Sequence, residues 1–390
     1  MISVKKDKLY PLLKYPGGKE KELKYILPNI PVKAVNYYEP FIGGGAVYFS
    51  LDSEHYFIND KSSELINLYK IISEQNDIFL EKINGIEHNW SIISSIVENH
   101  TKKLLEIYYN YKNRNIDNQQ LKDVISEFVY GNADEFNGLL RHNFNIAIDN
   151  FVIELKKSFK NKIIRMYKLE TEKGNLSQKD VILNLEGAFK NAFYMHFRYL
   201  YNNIEELNID EPFATAIYFF IREYCYSSMF RYNKLGKFNV PYGGISYNKK
   251  SLSKKIDYFT SKDLVQQLNN TTIVNDDFEV FLNNYRPMED DFIFLDPPYD
   301  TEFSTYANNE FTQRDQERLA NYLINECEAN FMLIIKNTEY ILSLYPDGVE
   351  TFNGKRLCIN KFDKKYVVSF QDRNDKEAEH LLITNYHIKY

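Results

Sequence analysis

Hydrophobic positions along the 390-residue chain change period twice, which divides it into three zones. Up to about residue 70, short apolar runs alternate with glycine turns. AVNYYEP reads as a buried strand, FIGGG as a tight turn, AVYFSL as the start of a helix, and HYFIND as a second strand ending on an acid. In SSELINLYKIISEQ, Leu65, Leu68, Ile71 and Ile72 share one helical face, with Ser62 placed to cap it. Strand, helix, strand, helix in close succession predicts βαβ units on a parallel sheet.

The middle zone, roughly 71–215, has almost no proline and a 3.6-residue period. SIISSIVENHTKKLLEIYYNY and NLEGAFKNAFYMHFRYLYNNIEEL have the pattern of amphipathic helices. FRYNKLGKFNVPYGGISYN breaks that period with glycines and alternating apolar residues, which predicts a β-hairpin over 230–248. The last zone returns to α/β: TTIVNDDF, DFIFLDPPY and NFMLIIKN are short strands ending in polar residues. TQRDQERLANYLINECEA is a helix that Thr312 is placed to cap, and LCINKF, KYVVSF and HLLITNY are strands for an antiparallel sheet edge. The expected fold is one α/β sheet whose halves, 1–70 and 257–390, are separated by a mostly helical insertion, 71–256. Ligands gather at the carboxyl ends of strands in such sheets, and here those ends carry Glu39, Pro40, Asp60, Asp277 and Asp296.

Composition removes several classes. No stretch approaches eighteen uninterrupted apolar residues, so no membrane span is expected. The start, MISVKKDKLYPLLKYPGGK, has no apolar segment behind its lysines, so a secretory signal is not expected and the cytoplasm is. Cys225, Cys327 and Cys358 lie far apart with no CxxC, which suits a reducing compartment and predicts no zinc knuckle or other metal site. Net charge is −6, yet three stretches are basic: 2–33, the run LKKSFKNKIIRMYK, and 231–262 with eight basic residues against Asp257 alone. One such run is ordinarily a solvated face; three together point to an anionic partner.

Chemistry concentrates in two motifs. In EPFIGGGAVYF, Gly43, Gly44 and Gly45 follow a strand directly, so backbone can approach a ligand at a helix-start polarity that favours negative charge. Tyr48 stands where a dinucleotide fingerprint needs a small residue, which disfavours a nicotinamide dehydrogenase. With Asp60 ending the next strand and able to take ribose hydroxyls, the pair indicates an adenosine-containing cofactor without saying which. The second motif, Asp296-Pro297-Pro298-Tyr299, ends the strand FIFL. Its two prolines remove two amide donors and leave carbonyls to accept, next to a carboxylate and an aromatic face. Such a site offers two acceptors to an amino group and a stacking surface to a planar ring, which fits the exocyclic amine of a base.

KYPGGK (14–19), EPFIGGGAVYF (39–49), FINDKSSELINLY (57–69), FRYNKLGKFNVPYG (230–243), NDDF (275–278), DPPY (296–299) and LLITNY (381–386), in that order, resemble the motifs of Dam-type DNA adenine-N6 methyltransferases of the alpha group. The resemblance covers nearly the whole chain except about 85–210. It implies a Rossmann-like class I methyltransferase sheet, with the helical insertion and a DNA-contacting β-hairpin as target recognition domain. It implies S-adenosylmethionine as methyl donor, held by Tyr15, Lys19, Pro40, Phe41, Gly43, Gly45, Asp60, Asp277, Phe278 and Asp296. Asp296, Pro297, Pro298 and Tyr299 would be catalytic, and Lys14, Arg231, Tyr232, Asn233, Lys234, Lys237 and Asn239 would contact DNA. The implied partner is double-stranded DNA, beside a cognate restriction endonuclease in a bacterial or phage setting, with the chain a monomer or dimer. Two features depart from the pattern: LIIKNTEYI places Lys336 where the family often has a serine-asparagine pair, and the insertion is longer than a minimal member needs.

Three other functions share parts of this pattern. Cytosine N4 has the same amine electronics as adenine N6, and the hairpin favours adenine. A combined restriction-modification enzyme would draw on Asp149-x4-Glu154-x-Lys156, which has nuclease spacing but no strand pattern. A non-catalytic DNA-binding protein would not need the intact DPPY and glycine turn. His88, His100, His142 and His196 show no ligand spacing and read as polar or interfacial residues. Asp296→Ala is expected to abolish methyl transfer while leaving cofactor binding largely intact, as measured by turnover and by cofactor titration. Tyr299→Ala is expected to weaken capture of the base by about 1–3 kcal/mol, and Tyr299→Phe by less, in DNA-binding titrations.

Overall fold

The computed structural model describes every residue except 16, 32, 141–143, 299–310, 366–376 and 389–390, and for 363–365, 377 and 378 the backbone alone. The chain forms two compact units, Met1–Glu74 with Phe259–Tyr390, and Gln75–Tyr258. Among the described residues, seven strands build the sheet of the first unit: β1 Asn36–Glu39, β2 His55–Asn59, β3 Thr271–Val274, β4 Phe292–Leu295, β5 Asn330–Lys336, β6 Cys358–Lys365 and β7 Glu377–Thr384. Their order is β3-β2-β1-β4-β5-β7-β6. Strands β1 to β5 pair in parallel, and β7 runs antiparallel to both β5 and β6. This is the α/β sheet expected from the sequence, with its antiparallel edge.

Burial explains why each run became the strand it did. FIFL, apolar at every position, is β4 and is buried throughout, as a strand covered on both faces must be. TTIV, half-buried at all four positions, is the edge strand β3. Alternate residues share a face: Ile293 and Leu295 of β4, Phe331, Leu333 and Ile335 of β5, and Leu381 and Ile383 of β7 enter one cluster. Helices Phe278–Tyr285 and Gln313–Asn325 cover it with Phe281, Leu282, Leu319 and Leu323. Each such burial contributes about 1.5–3 kcal/mol. The second helix starts on a capping box between Thr312 and Asp315.

Two expectations change. AVYFSL is not a helix: Tyr48–Ser50 make one 3-10 turn, and Leu51–Asp52 then pair antiparallel with Ser3–Val4. The Ser50 hydroxyl donates to Ala46 O at 2.7 Å and its amide to Val47 O at 2.9 Å, which tightens the turn and ends it. KYVVSF lies almost wholly outside the described residues.

The second unit is helical. Its longest helices are Asp77–Asn99, Ile148–Lys173, Gln178–Tyr201 and Glu211–Tyr224. Asn76, Ser177 and Asp210 cap three of them by accepting from Phe79, Asp180 and Phe213 amides, as short polar side chains do best. Rings of Trp90, Phe193, Phe197, Phe220 and Tyr224 pack its interior, with centroids 4.4 Å apart for Trp90–Tyr224 and 4.7 Å for Phe193–Phe197. The hairpin expected over 230–248 is shorter, closed at Arg231–Asn239 by a bridge between Tyr232 and Phe238 and by the bond from Asn239 N to Arg231 O, with a separate bridge joining Cys225 to Tyr242. Its turn is held by Asn233 Oδ1, which accepts from Leu235 and Lys237 amides, and by Gly236 at φ 71°. Asp149 and Glu154 lie in Ile148–Lys173, five residues and so about 140° apart on the helix, and Glu154 is paired with Lys157. Nuclease geometry therefore has no support there, and among the described residues no cluster of three metal-ligating side chains occurs. No described helix is long and apolar enough to cross a membrane.

His196 is not interfacial but fully buried, 5.6 Å from the Phe151 ring, with Nδ1 at 3.3 Å from Asn150 Oδ1. His142 lies outside the described residues. Burial pushes the His196 imidazole down to about 3. The folded chain thus keeps it neutral where the unfolded chain, with its value near 6.5, takes up a proton. Stability is therefore lost as pH falls from about 6.5 towards 3, at up to about 1.4 kcal/mol per pH unit. His196→Phe is expected to reduce the drop in urea-unfolding free energy between pH 7 and pH 5 by about 2 kcal/mol.

Candidate functional site

In the order β3-β2-β1-β4-β5, the chain winds one way from β1 and the other way from β4, so loops leaving these neighbours diverge and open a crevice. The loop after β1 carries Pro40–Gly45 and the loop after β4 carries Asp296–Pro298. Both chemical motifs thus stand at one topological switch point.

The glycine turn is shaped by its neighbours. Gly43 and Gly45 have φ 45° and 72°, the left-handed region that glycine enters without strain. A Cβ at Gly45 would lie 2.7 Å from the Tyr69 hydroxyl, and one at Gly43 or Gly44 would lie 3.1–3.2 Å from Tyr15. Tyr15 therefore lies directly on the turn. Asp60, next after β2, accepts from Gly43 N at 3.0 Å and Ser62 N at 2.9 Å. Burial pushes its carboxyl above the usual range, and these backbone donors oppose the rise.

Asn59, which sequence reasoning passed over, joins the loops. It is 1% exposed, and its amide donates to Pro40 O and Asp276 O, each at 3.0 Å, while its oxygen accepts from Asp276 N at 2.9 Å. Asp277 caps helix Phe278–Tyr285 and pairs with Arg318 at 2.5 Å. Phe278 is buried, 5.5 Å from the Phe41 ring and 5.7 Å from Phe311. Arg318, also unforeseen, reaches Glu279 and Asp315 as well and lies over the Phe278 ring at 4.9 Å. Neither residue left a signal in the sequence, because an asparagine after a strand and an arginine in a polar helix are both ordinary there.

Lys19 and Asp296, 277 residues apart, form an ion pair through Oδ2, with Lys19 buried and also donating to Gly17 O at 3.1 Å. Glu39, buried next to them, accepts from the Tyr37 hydroxyl at 2.7 Å. Burial pushes its carboxyl well above the usual range; the Tyr37 bond opposes this and the Asp296 charge adds to it. Pro297 is buried, and its carbonyl accepts no hydrogen bond among the described residues. The exposed Pro298 does not keep its carbonyl free: the fully buried Gln316, unforeseen too, donates to it at 3.0 Å. Tyr299 lies outside the described residues.

The residues expected at DNA are divided between the units. Lys14 is exposed in the sheet unit. In the helical unit, Arg231, Lys234 and Lys237 are exposed on one turn. Arg231 Nε donates to Asn239 at 3.0 Å, the Tyr232 hydroxyl meets that of Tyr201 at 2.8 Å, and Asn233 spends its oxygen on the turn itself. Asn59→Ala is expected to leave two carbonyls and one amide unpaired beneath the site. It should lower the urea-unfolding free energy by about 2–4 kcal/mol, more than a surface Asn→Ala.

Similarity to known proteins follows the same geometry. The family model of the D12 class N6 adenine-specific DNA methyltransferases matches residues 15–184 and 159–357, which include Tyr15, the glycine turn, Asp60 and Asp296. The Type II methyltransferase M.MjaIII of Methanocaldococcus jannaschii is 25% identical over 96% of this chain and 99% of its own length. The retron Ec67 DNA adenine methylase of Escherichia coli is 31% identical over 41% of this chain and 53% of its own length. The DNA adenine methylase of Escherichia coli is 28% identical over 38% and 50%. With both motif-bearing strand ends and the insertion between them inside the match, the chain belongs to the family of D12 class N6 adenine-specific DNA methyltransferases.

Proposed function

We propose that the sheet unit binds S-adenosylmethionine at the glycine turn and directs its methyl group to N6 of an adenine turned out of duplex DNA. Adenine rather than cytosine is the acceptor named for the family. The observation that carries the reading is the Lys19–Asp296 pair standing at the switch point with the glycine turn and Asp60. The residues present fit the donor: a carboxylate at the end of β2 suits the two hydroxyls of a ribose, and Tyr15 with the turn backbone forms a tight wall beside it. Phe41 and Phe311, half-buried and backed by the buried Phe278, offer apolar faces for an adenine ring. When bound, the sulfonium supplies an electrophilic methyl.

The remaining chemistry falls to this chain. Adenine's amine is a poor nucleophile because its lone pair is delocalised into the ring. Lys19 occupies Asp296 Oδ2 and fixes the carboxylate, so Oδ1 faces the acceptor role. Oδ1 and the Pro297 carbonyl take the two N–H bonds of the amine, which favours a pyramidal nitrogen with its lone pair exposed. Oδ1 is also placed to receive the proton the nitrogen gives up. Gln316 holds the Pro298 carbonyl and so fixes the chain directly after Asp296 and Pro297. Flipping costs a few kcal/mol, and stacking on Tyr299 offsets part of it.

On this reading the helical unit is the target recognition domain, with Arg231, Tyr232, Asn233, Lys234, Lys237 and Asn239 at the DNA, and Lys14 contacts it from the sheet unit. Purified protein, labelled S-adenosylmethionine and DNA from a methylation-deficient strain are expected to yield N6-methyladenine on nucleoside analysis. N4-methylcytosine, or no transfer, would sink the proposal. Asp60→Ala is expected to weaken donor binding by about 1.5–3 kcal/mol, the range for a hydrogen bond to a charged group, with the DNA Kd little changed.

A further inference from the structure

The helix Ile148–Lys173 carries charge that neither motif uses. Its outward positions 157, 160, 161, 164, 165 and 168 recur at helical spacing and share one face. Four of the six are Lys157, Lys160, Arg165 and Lys168, the others are Asn161 and Ile164, and no acid interrupts them. The inward positions Leu155, Phe159, Ile163 and Met166 are buried, so packing settles which side faces solvent. Lys157 pairs with Glu154 at 3.0 Å, whereas Lys160, Arg165 and Lys168 have no ion pair among the described residues. On the packed helix Gln178–Tyr201, Asp180 is engaged with Ser177 at the cap, and Glu186 binds Lys190 and Ser94. Burial, and after it the Arg165 charge, holds the neighbouring Lys162 ammonium below its ordinary value.

We infer that this face is a contact surface for the phosphate backbone of duplex DNA, additional to the hairpin Arg231–Asn239. Four cations from 157 to 168 span about 16 Å at 1.5 Å per residue. One strand of duplex DNA presents a phosphate charge about every 3.4 Å along its axis, so the row meets several in register-tolerant fashion. A polyanion relieves the repulsion that the free face carries, and phosphate contacts of this kind position a protein without reading bases. The inference rests on the proposed reaction for its choice of DNA over other polyanions.

The test combines Lys157→Gln, Lys160→Gln, Arg165→Gln and Lys168→Gln. An equal loss of charge at exposed positions elsewhere on the unit, Lys102→Gln, Lys103→Gln, Lys122→Gln and Lys179→Gln, is the control. Kd for a duplex DNA fragment is measured across a salt series. The slope of log Kd against log salt is expected to fall by about 2–4, at about 0.9 per lost phosphate contact, and by less than about 1 in the control. Single variants at Lys160 and Arg165, each expected to lower the slope by about 1, serve if the combined variant unfolds. An unchanged slope overturns the inference, as does an equal fall in the control, or a loss confined to duplex RNA or anionic vesicles. A chain that shows the expected slopes but forms no N6-methyladenine keeps this surface and fails the proposed reaction instead.

Discussion

At the carboxyl edge of a parallel sheet the ladder stops, and the loops beyond it must find hydrogen bonds elsewhere or be left with unpaired groups. In this chain Asn59 provides them from inside: it ends β2 and binds the loops that follow β1 and β3 on either side. A carboxamide suits this position because it donates twice and accepts in one planar group, so two carbonyls and an amide are paired without burying a charge. Asp60 can then face outward, Pro40 leads into the glycine turn at a set height, and Asp277 starts its helix. Each of these depends on a side chain that touches no reacting atom.

Charge at the site follows the same economy of burial. Lys19 and Asp296 neutralise each other, which is how ionised groups become tolerable away from water. Glu39 has no ion pair among the described residues; burial pushes it towards its neutral form, while its bond from the Tyr37 hydroxyl and the nearby Lys19 charge oppose this. Two carboxyls at adjacent strand ends are thus held differently, Asp296 in an ion pair with Lys19 and Glu39 on the Tyr37 hydroxyl. The pairing also brings KYPGGK, remote in sequence, to DPPY: its lysine fixes the Asp296 carboxylate at the end of β4.

The helical unit inverts the charge of the chain as a whole. Against an overall −6, Gln75–Tyr258 holds 25 lysines and arginines and 22 acids, and several of those acids are spent on buried pairs such as Glu223 with Lys250 and Lys255. The hairpin and the face of Ile148–Lys173 are the places where that excess collects, which suits a protein whose substrate is a polyanion.

Much of this was legible along the chain. Continuous apolar runs placed β4 and β5 and the 3.6-residue period placed helix Ser63–Ser73, because apolar runs and caps act over a few residues; the motifs EPFIGGG and DPPY marked both loops of the switch point. AVYFSL misled because its helical pattern lost to a serine hydroxyl and a strand partner, Ser3–Val4, far back in sequence. The hairpin at 230–248 proved shorter because Asn233 and Gly236 close the turn by local bonds that alternation alone does not reveal. Asn59, Gln316 and Arg318 stayed hidden because their roles consist of partners 19 to 217, 18 and 39 to 41 residues away. By itself, then, the sequence determined the elements, the sheet type and the chemistry of the two motifs, since those rest on local sterics and on side-chain type. Only the tertiary structure decided which charges meet, which are neutralised and which strand ends share one crevice, because pairing across a fold depends on distance in space, which spacing along the chain does not encode.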